Sequence, residues 1–191
     1  MATIKSSLRH GPATEQQIAS LEARIGASLP DDYREFLRKH NGGRPQPDAF
    51  LLGDDFETDE DVVQCFFPLR DVRCSDVVVE AAEQLADYPI HCAWDDLQNF
   101  VRDVEQLSGR KIEHRLFPIG TDGCANFIAI VLDGEKTGRV VFFEHEDSTV
   151  TMLAESFYVL SLRPSHTPTR RLPRRSRFQI RGVMISKYSY Y

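Results

Sequence analysis

The stretch Asn126–His145, NFIAIVLDGEKTGRVVFFEH, decides the fold. Every residue from Phe127 to Leu132 is apolar, so both alternating faces need cover, the pattern of an interior strand. DGEKTG, residues 133–138, carries two glycines between apolar runs and reads as a hairpin connection. RVVFFEH then returns beside the first strand. An interior hairpin of this kind needs more strands at its sides and helices over it. Upstream, RLFPIG (115–120) reads as a short strand closed by Gly120. Downstream, STVTMLAESFYVLSL (148–162) reads as a last strand running into a helix, with Phe157 and Leu160 inward.

The helices that cover such a sheet are legible further upstream. Thr14 can cap a helix and Gln17, three residues on, can close a capping box. Ile18, Leu21 and Ile25 form one apolar stripe, and Gly26 is a left-handed stop. In LPDDYREFLRKHNGG (29–43), Pro30 suits a first helical turn, and Asp31 and Asp32 complement the positive helix end. Tyr33, Phe36 and Leu37 share a face, and Asn41-Gly42-Gly43 ends the helix because these residues accept positive φ. VVQCFFPL (62–69) reads as a strand. Ser75 to Ala86 reads as helical, although Val77, Val78 and Val79 suit a strand equally well. A longer helix runs from about Ala93 to Leu107, with Trp94, Leu97, Val101 and Val104 as its stripe and Gly109 as its stop. Tyr33 and Trp94 are expected in the core. The order is that of an α+β domain with a mainly antiparallel sheet, without internal repeats.

The formal charge of −6 over 191 residues hides an asymmetry. Seven basic residues and no acidic ones follow Pro164, so the 16 Lys and Arg that remain of 23 face all 29 Asp and Glu, a balance of −13. An acidic body repels nucleic acid and membrane surfaces and attracts basic proteins. The tail, with three prolines, many Arg and Ser and little periodicity, is expected to be disordered or conditionally ordered. Its arginines, with Phe178 and the terminal tyrosines, form the one segment suited to nucleic acid, and only weakly. No run of eighteen apolar residues or apolar leader appears, which points to the cytoplasm. Cys65, Cys74, Cys92 and Cys124 form no CxxC pair and are expected as reduced thiols.

Enzymatic chemistry needs a nucleophile, a base or a metal site. The sequence has no HExxH, no GxSxG, no phosphate loop and no cofactor fingerprint. FEHED (143–147) is the best candidate: His145 lies between Glu144 and Glu146, and Asp122 can approach from a neighbouring loop. Consecutive strand residues point to opposite faces, however, so Glu144 and His145 diverge. A charged turn at a strand end accounts for the same residues. The acidic run in GDDFETDED (53–61) is more informative. Asp54, Asp55, Glu57, Asp59, Glu60 and Asp61 repel one another, and their spacing does not match a calcium loop. The run is either a solvated loop or a surface where a basic protein docks, steered by charge.

Taken together, these stretches resemble the SUKH superfamily, whose fungal founder regulates cell-wall synthesis. The first half of the pattern is Glu22, Gly26, Leu29-Pro30, Tyr33, Phe36-Leu37 and Asn41-Gly42-Gly43. The second half is Phe117-Pro118-Ile119, Asp122-Gly123, Asn126, Gly138, Val140 and His145, followed by Ser156 and Phe157 in LAESFYVLSL, which resembles the closing helix. The resemblance implies one SUKH-like α+β domain over residues 13–163, between an N-terminal extension (1–12) and the basic tail (164–191). Many bacterial members are immunity proteins that bind and neutralise a toxin, often a nuclease, in the cytoplasm, without catalysis and without a cofactor. Together with the −13 balance, this points to a basic toxin as partner, its groove expected to be met by Asp54, Asp55, Glu57, Asp59, Glu60 and Asp61. The alternative is a regulatory scaffold that binds cellular proteins, as the fungal founder does.

Overall fold

In the computed structural model, residues 3–5, 10–52, 60–77, 82–122, 124 and 126–160 are described. In chain order the elements are β1 (Thr3–Lys5), α1 (Glu15–Ile25), α2 (Asp31–Lys39), β2 (Arg44–Gln46), β3 (Ala49–Leu51), β4 (Glu60–Val62) and β5 (Cys65–Phe66). Short 3-10 turns at Cys74–Asp76 and Ala82–Asp87 lead to α3 (Ile90–Ser108). Then come β6 (Leu116–Thr121), β7 (Phe127–Val131), β8 (Val140–Glu144) and β9 (Thr149–Ala154). β5 to β9 form one antiparallel sheet in chain order, while β1–β2 and β3–β4 form two separate antiparallel ribbons. The architecture is α+β, as the sequence implies. Residues 1–12, read as an extension, include β1, which pairs with β2.

The helical hairpin forms for the local reasons its sequence carries. The Gln17 N–H donates to Thr14 Oγ1 at 3.2 Å and the Thr14 N–H to Gln17 Oε1 at 2.9 Å, a complete capping box. Gly26 ends α1 at φ +64°. Glu22 holds the connection, its Oε1 accepting the Leu29 N–H at 2.8 Å. Pro30 stands at the N-cap of α2, one residue before the first turn. Ile18, Leu21 and Ile25 of α1 and Tyr33, Phe36 and Leu37 of α2 are buried. The stop after α2 is built on Asn41, at φ +47°, whose side chain is 3% exposed. Its Nδ2 donates to the carbonyls of Gly11 (2.8 Å) and Leu69 (3.1 Å), and its Oδ1 accepts the Leu69 N–H (2.8 Å). One amide thus ties three chain segments. Gly42 follows at φ +87°, where a Cβ would sit 2.8 Å from the backbone nitrogen of Pro68. No residue with a side chain fits there.

Aromatic rings join the layers. Tyr33 meets Phe117 of β6 edge-on at 6.3 Å, and Phe36 meets Phe66 of β5 at 5.2 Å. Trp94 of α3 tilts on Phe117 at 6.0 Å, and Phe100 of α3 meets Phe143 of β8 at 5.8 Å. Tyr33 and Trp94 are core residues, as expected. Each such contact adds about 0.5–1.5 kcal/mol beyond the area it buries.

Four expectations change. VVQCFFPL is two strands, because the Val63 N–H donates to Asp48 and the Gln64 N–H to Thr121, so the chain leaves the β3–β4 ribbon and joins the main sheet. The strand read as closing at Gly120 continues to Thr121, with Gly120 opposite Phe66. A Cβ there would lie 2.6 Å from the Cys65 carbonyl oxygen, which is why glycine stands inside the strand. The helix expected over Ser75 to Ala86 is replaced, among the described residues, by the two 3-10 turns; residues 78–81 lie outside them. The closing helix is absent as far as Leu160: the Tyr158 N–H donates to Asp32 Oδ2 of α2 (2.7 Å) instead of to a carbonyl one turn before it. Phe157 and Leu160 still pack on the core, as the sequence requires. Residues 161–191, which include the basic tail, lie outside the described residues.

The cysteines also depart from expectation. Cys74 and Cys92, 18 residues apart, are joined as a disulfide, with Cα atoms 5.5 Å apart. The segment after β5 folds back over the start of α3, and that contact, not sequence spacing, brings the sulfurs together. Cys65, buried, and Cys124, exposed, are in no disulfide.

Candidate protein-docking face

The β6–β7 turn is organised by one buried carboxylate. Asp122, 6% exposed, accepts the N–H groups of Cys124 (2.7 Å) and Asn126 (3.2 Å) on Oδ1 and the Asn126 amide (2.7 Å) on Oδ2. The Asn126 NH2 group therefore faces Asp122 and its oxygen faces away. That oxygen accepts both the backbone N–H (3.0 Å) and Nδ1 (2.7 Å) of His145, at the end of β8. Against an oxygen acceptor Nδ1 must carry the proton. The His145 ring also rests edge-on near Phe100 of α3, at 6.5 Å. Asn126 stands between Asp122 and His145, so the acid/base pair considered from the sequence is not assembled. What the residues do form is a brace between two strand ends. Burial raises the Asp122 carboxyl, and the N–H donors act against it.

A second carboxylate approaches the brace from another element. Asp61 lies in β4 opposite Phe50, and Phe50 packs on Phe142 of β8 at 5.4 Å, which carries the β3–β4 ribbon onto the main sheet. Asp61 is thus half-buried in a strand and not part of a solvated loop. Burial pushes its carboxyl up to about 6, the charges of Asp122 and Glu144 push the same way, and the Val62 N–H opposes them. Among the described residues no cation pairs with Asp61 or with Glu144, which is half-buried and accepts from the Thr149 hydroxyl at 3.4 Å. Glu146 and Asp147 follow, exposed, in the β8–β9 turn. Of the other residues in the acidic run, Asp54, Asp55, Glu57 and Asp59 lie outside the described residues, and Glu60 is a backbone position of β4. That Asp122 comes near Glu144 is legible in the sequence, but that Asp61 of β4 joins them is not, because no motif links it to either.

Beside this cluster the main sheet ends in β9, its edge strand. Val150 and Met152, two apart on β9, remain 40% and 51% exposed. Edge strands with exposed apolar side chains invite a partner. Val150 and Met152 pair with Phe143 and Val141, so they lie on the sheet face away from Glu144 and Phe142; the open strand itself is what lies beside the unpaired carboxylates. Among the described residues no helix is long and apolar enough to cross a membrane.

Residues 12–160 match the SMI1 / KNR4 family (SUKH-1). The chain belongs to this family. Two relatives from Bacillus subtilis strain 168 are similar to it. The SPbeta prophage-derived uncharacterised protein YokK is 26% identical over 160 residues, 78% of this chain and 74% of YokK. The uncharacterised protein YnaB is 48% identical over 31 residues, 16% of this chain and 22% of YnaB. In this SUKH-1 chain the motif residues are mostly scaffold: Glu22 closes a loop, Asn41 ties three segments, and Asn126 couples Asp122 to His145. Gly138 lies at φ +88° in the β7–β8 connection, and Gly123 lies outside the described residues.

Proposed function

We propose that this SUKH-1 chain is a cytoplasmic immunity protein that neutralises a basic, nuclease-type toxin by occluding its active-site groove. The observation that carries the reading is the unpaired carboxylate group of Asp61 and Glu144 beside buried Asp122. Like charges held together without a cation repel one another, and a cationic side chain from a partner relieves that cost. A nuclease needs such cations to hold phosphate, so its groove is the complementary surface. The −13 balance over the first 163 residues adds long-range steering. Val150 and Met152 supply apolar contact at the edge of the same sheet. We extend the face to Asp54, Asp55, Glu57, Asp59 and Glu60, which adjoin Asp61 in sequence. The prophage-derived description of YokK is in keeping with a role in conflict between genomes. No catalytic step is assigned to the chain, because the hydrogen bonds of Asp122, Asn126 and His145 are spent on the strand ends.

The test is co-expression with the toxin encoded in the neighbouring reading frame, scored by cell survival. Survival with the chain and death without it is the expected result. Death of cells that contain the folded chain would overturn the reading.

A further inference from the structure

The start of α3 gathers metal-binding side chains that the docking face does not use. Asp95 stands four residues after His91 and three after Cys92 on α3, one turn further along the helix, and Cys74 reaches them from the 3-10 turn. One ligand atom each of Cys74, His91 and Cys92 lie within 4.8 Å of one another. Asp95 Oδ2 lies 4.0 Å from Cys74 Sγ. A tetrahedral zinc site, with bonds of roughly 2.0–2.3 Å, sets its ligand atoms roughly 3.3–3.8 Å apart. Cys74, His91 and Cys92 are therefore near that geometry once the sulfurs are separate, and Asp95, close to Cys74 but outside the mutual group, completes it by turning its carboxylate inward.

We propose that, with the Cys74–Cys92 bond reduced, Cys74, Cys92, His91 and Asp95 bind one Zn²⁺ ion. Three further features fit. The His91 Nε2 meets the Val72 carbonyl at 2.9 Å, so it donates there and Nδ1 keeps its lone pair. A ligating histidine commonly has its other nitrogen fixed on a carbonyl in this way. Arg24 contacts Asp95 at 2.5 Å and is placed to hold that carboxylate from outside. Charge also closes: a divalent ion, two thiolates, one carboxylate and one guanidinium sum to zero. Cys92 is buried and Cys74 and His91 are half-buried, so the ion would be shielded from most of the solvent.

The chemistry is balanced with a dithiol as reductant. Its two thiols transfer two electrons and two protons to the disulfide, giving two cysteine thiols and an oxidised, cyclic reductant. Zinc then displaces one proton from each cysteine as it binds. In a reducing compartment the dithiol form is the populated one. Either state fastens the 70–77 segment to α3, through sulfur–sulfur bonding or through the metal. The metal site does not depend on the neutralisation reading, since none of its ligands belongs to the docking face.

The experiment uses the full chain and Co²⁺ or Zn²⁺ alone, added after dithiol reduction or without it. The reduced protein is expected to take up one metal per chain, with the sulfur-to-cobalt charge-transfer band and the visible bands of tetrahedral Co²⁺. The oxidised protein should take up none. Cys92→Ser should abolish the charge-transfer signature, and Cys124→Ser, which alters the exposed cysteine outside the disulfide, should leave it intact. His91→Ala and Asp95→Asn keep both cysteines and should weaken binding at least tenfold, so the test does not depend on a folded cysteine variant. Absence of uptake by the reduced chain overturns the proposal, as does affinity unchanged by His91→Ala.

Discussion

The α1–α2 hairpin and the Asp61–Glu144 end of the sheet both carry dense charge, and they handle it in opposite ways. On the hairpin every outward cation has a partner. Arg34 pairs with Glu15 and Glu22, Arg38 with Glu15 and Glu35, and Lys39 with Glu35. The Arg38 and Arg34 guanidiniums hold the Glu15 carboxyl below its usual range, and Lys39 with Arg38 does the same for Glu35. At the sheet end, Asp61 and Asp122 are held above theirs, chiefly by burial and, for Asp61, also by neighbouring carboxylates. Exposed pairs like those on the hairpin contribute little to stability, but they leave no charge open to a partner. The sheet end is open. Charge satisfied internally on the hairpin marks scaffold, and the charge left unpaired at the half-buried sheet end is what the proposed docking rests on.

The largest expected effect falls on the scaffold. Asn41→Ala leaves the Leu69 N–H, the Leu69 carbonyl and the Gly11 carbonyl without their partner and puts alanine at positive φ. We expect a loss of about 2–4 kcal/mol in chemical denaturation. A loss below about 1 kcal/mol would mean that the hairpin stop is not held by this amide.

Next comes the pH dependence, where the two regions have opposite signs. Asp61 is pushed up from 3.8 to about 6, so the native state binds more protons than the unfolded chain between those values. Its contribution therefore falls as pH rises through that window. Glu15 and Glu35, lowered from 4.5, contribute stability that is lost as pH falls below that value. Asp96, also pushed up to about 6 by burial, adds to the Asp61 trend and remains in the variant. Asp61→Asn should thus gain stability relative to the parent chain at pH 7 and lose that advantage at pH 4. After allowance for solvent screening the difference is about 1–2 kcal/mol. Unfolding curves at several pH values measure it, and an Asp61→Asn chain that is less stable at pH 7 would remove the idea of unrelieved repulsion.

The smallest effect belongs to the core between the two regions. Tyr33 is fully buried, and among the described residues its hydroxyl has no hydrogen-bond partner. Tyr33→Phe should be neutral or stabilising by up to about 1 kcal/mol in thermal unfolding. A clear destabilisation would show that the hydroxyl is satisfied after all.

The same contrast explains what the sequence discloses. The hairpin was legible because its signals are local: Thr14 and Gln17 are three residues apart, the apolar stripe has helical spacing, and Asn41-Gly42-Gly43 stops the helix. The β7–β8 hairpin was legible for the same reason, with Gly134 and Gly138 in its connection. The sequence pattern puts the start of α3 at about Ala93, three residues late, because Pro89 provides the cap without a side-chain hydrogen bond. What escaped depends on distant segments. The break in VVQCFFPL is set by Asp48 and Thr121, and the missing closing helix by Asp32. Pairing of Cys74 with Cys92 needs the chain to fold back on α3. Asn126 is a motif residue of the sequence, but its part between Asp122 and His145 appears only when β6, β7 and β8 are in register.

The central claim is that the unpaired sheet end, and not the paired hairpin, receives a basic partner. The direct measurement is the association rate with the cognate toxin at low and high salt, for Asp61→Lys/Glu144→Lys and for Glu35→Lys. The account predicts several-fold slower association for the double variant at low salt, a smaller difference at high salt, and little change for Glu35→Lys. Equal rates for the double variant and the parent chain, or a larger effect at Glu35, would contradict it.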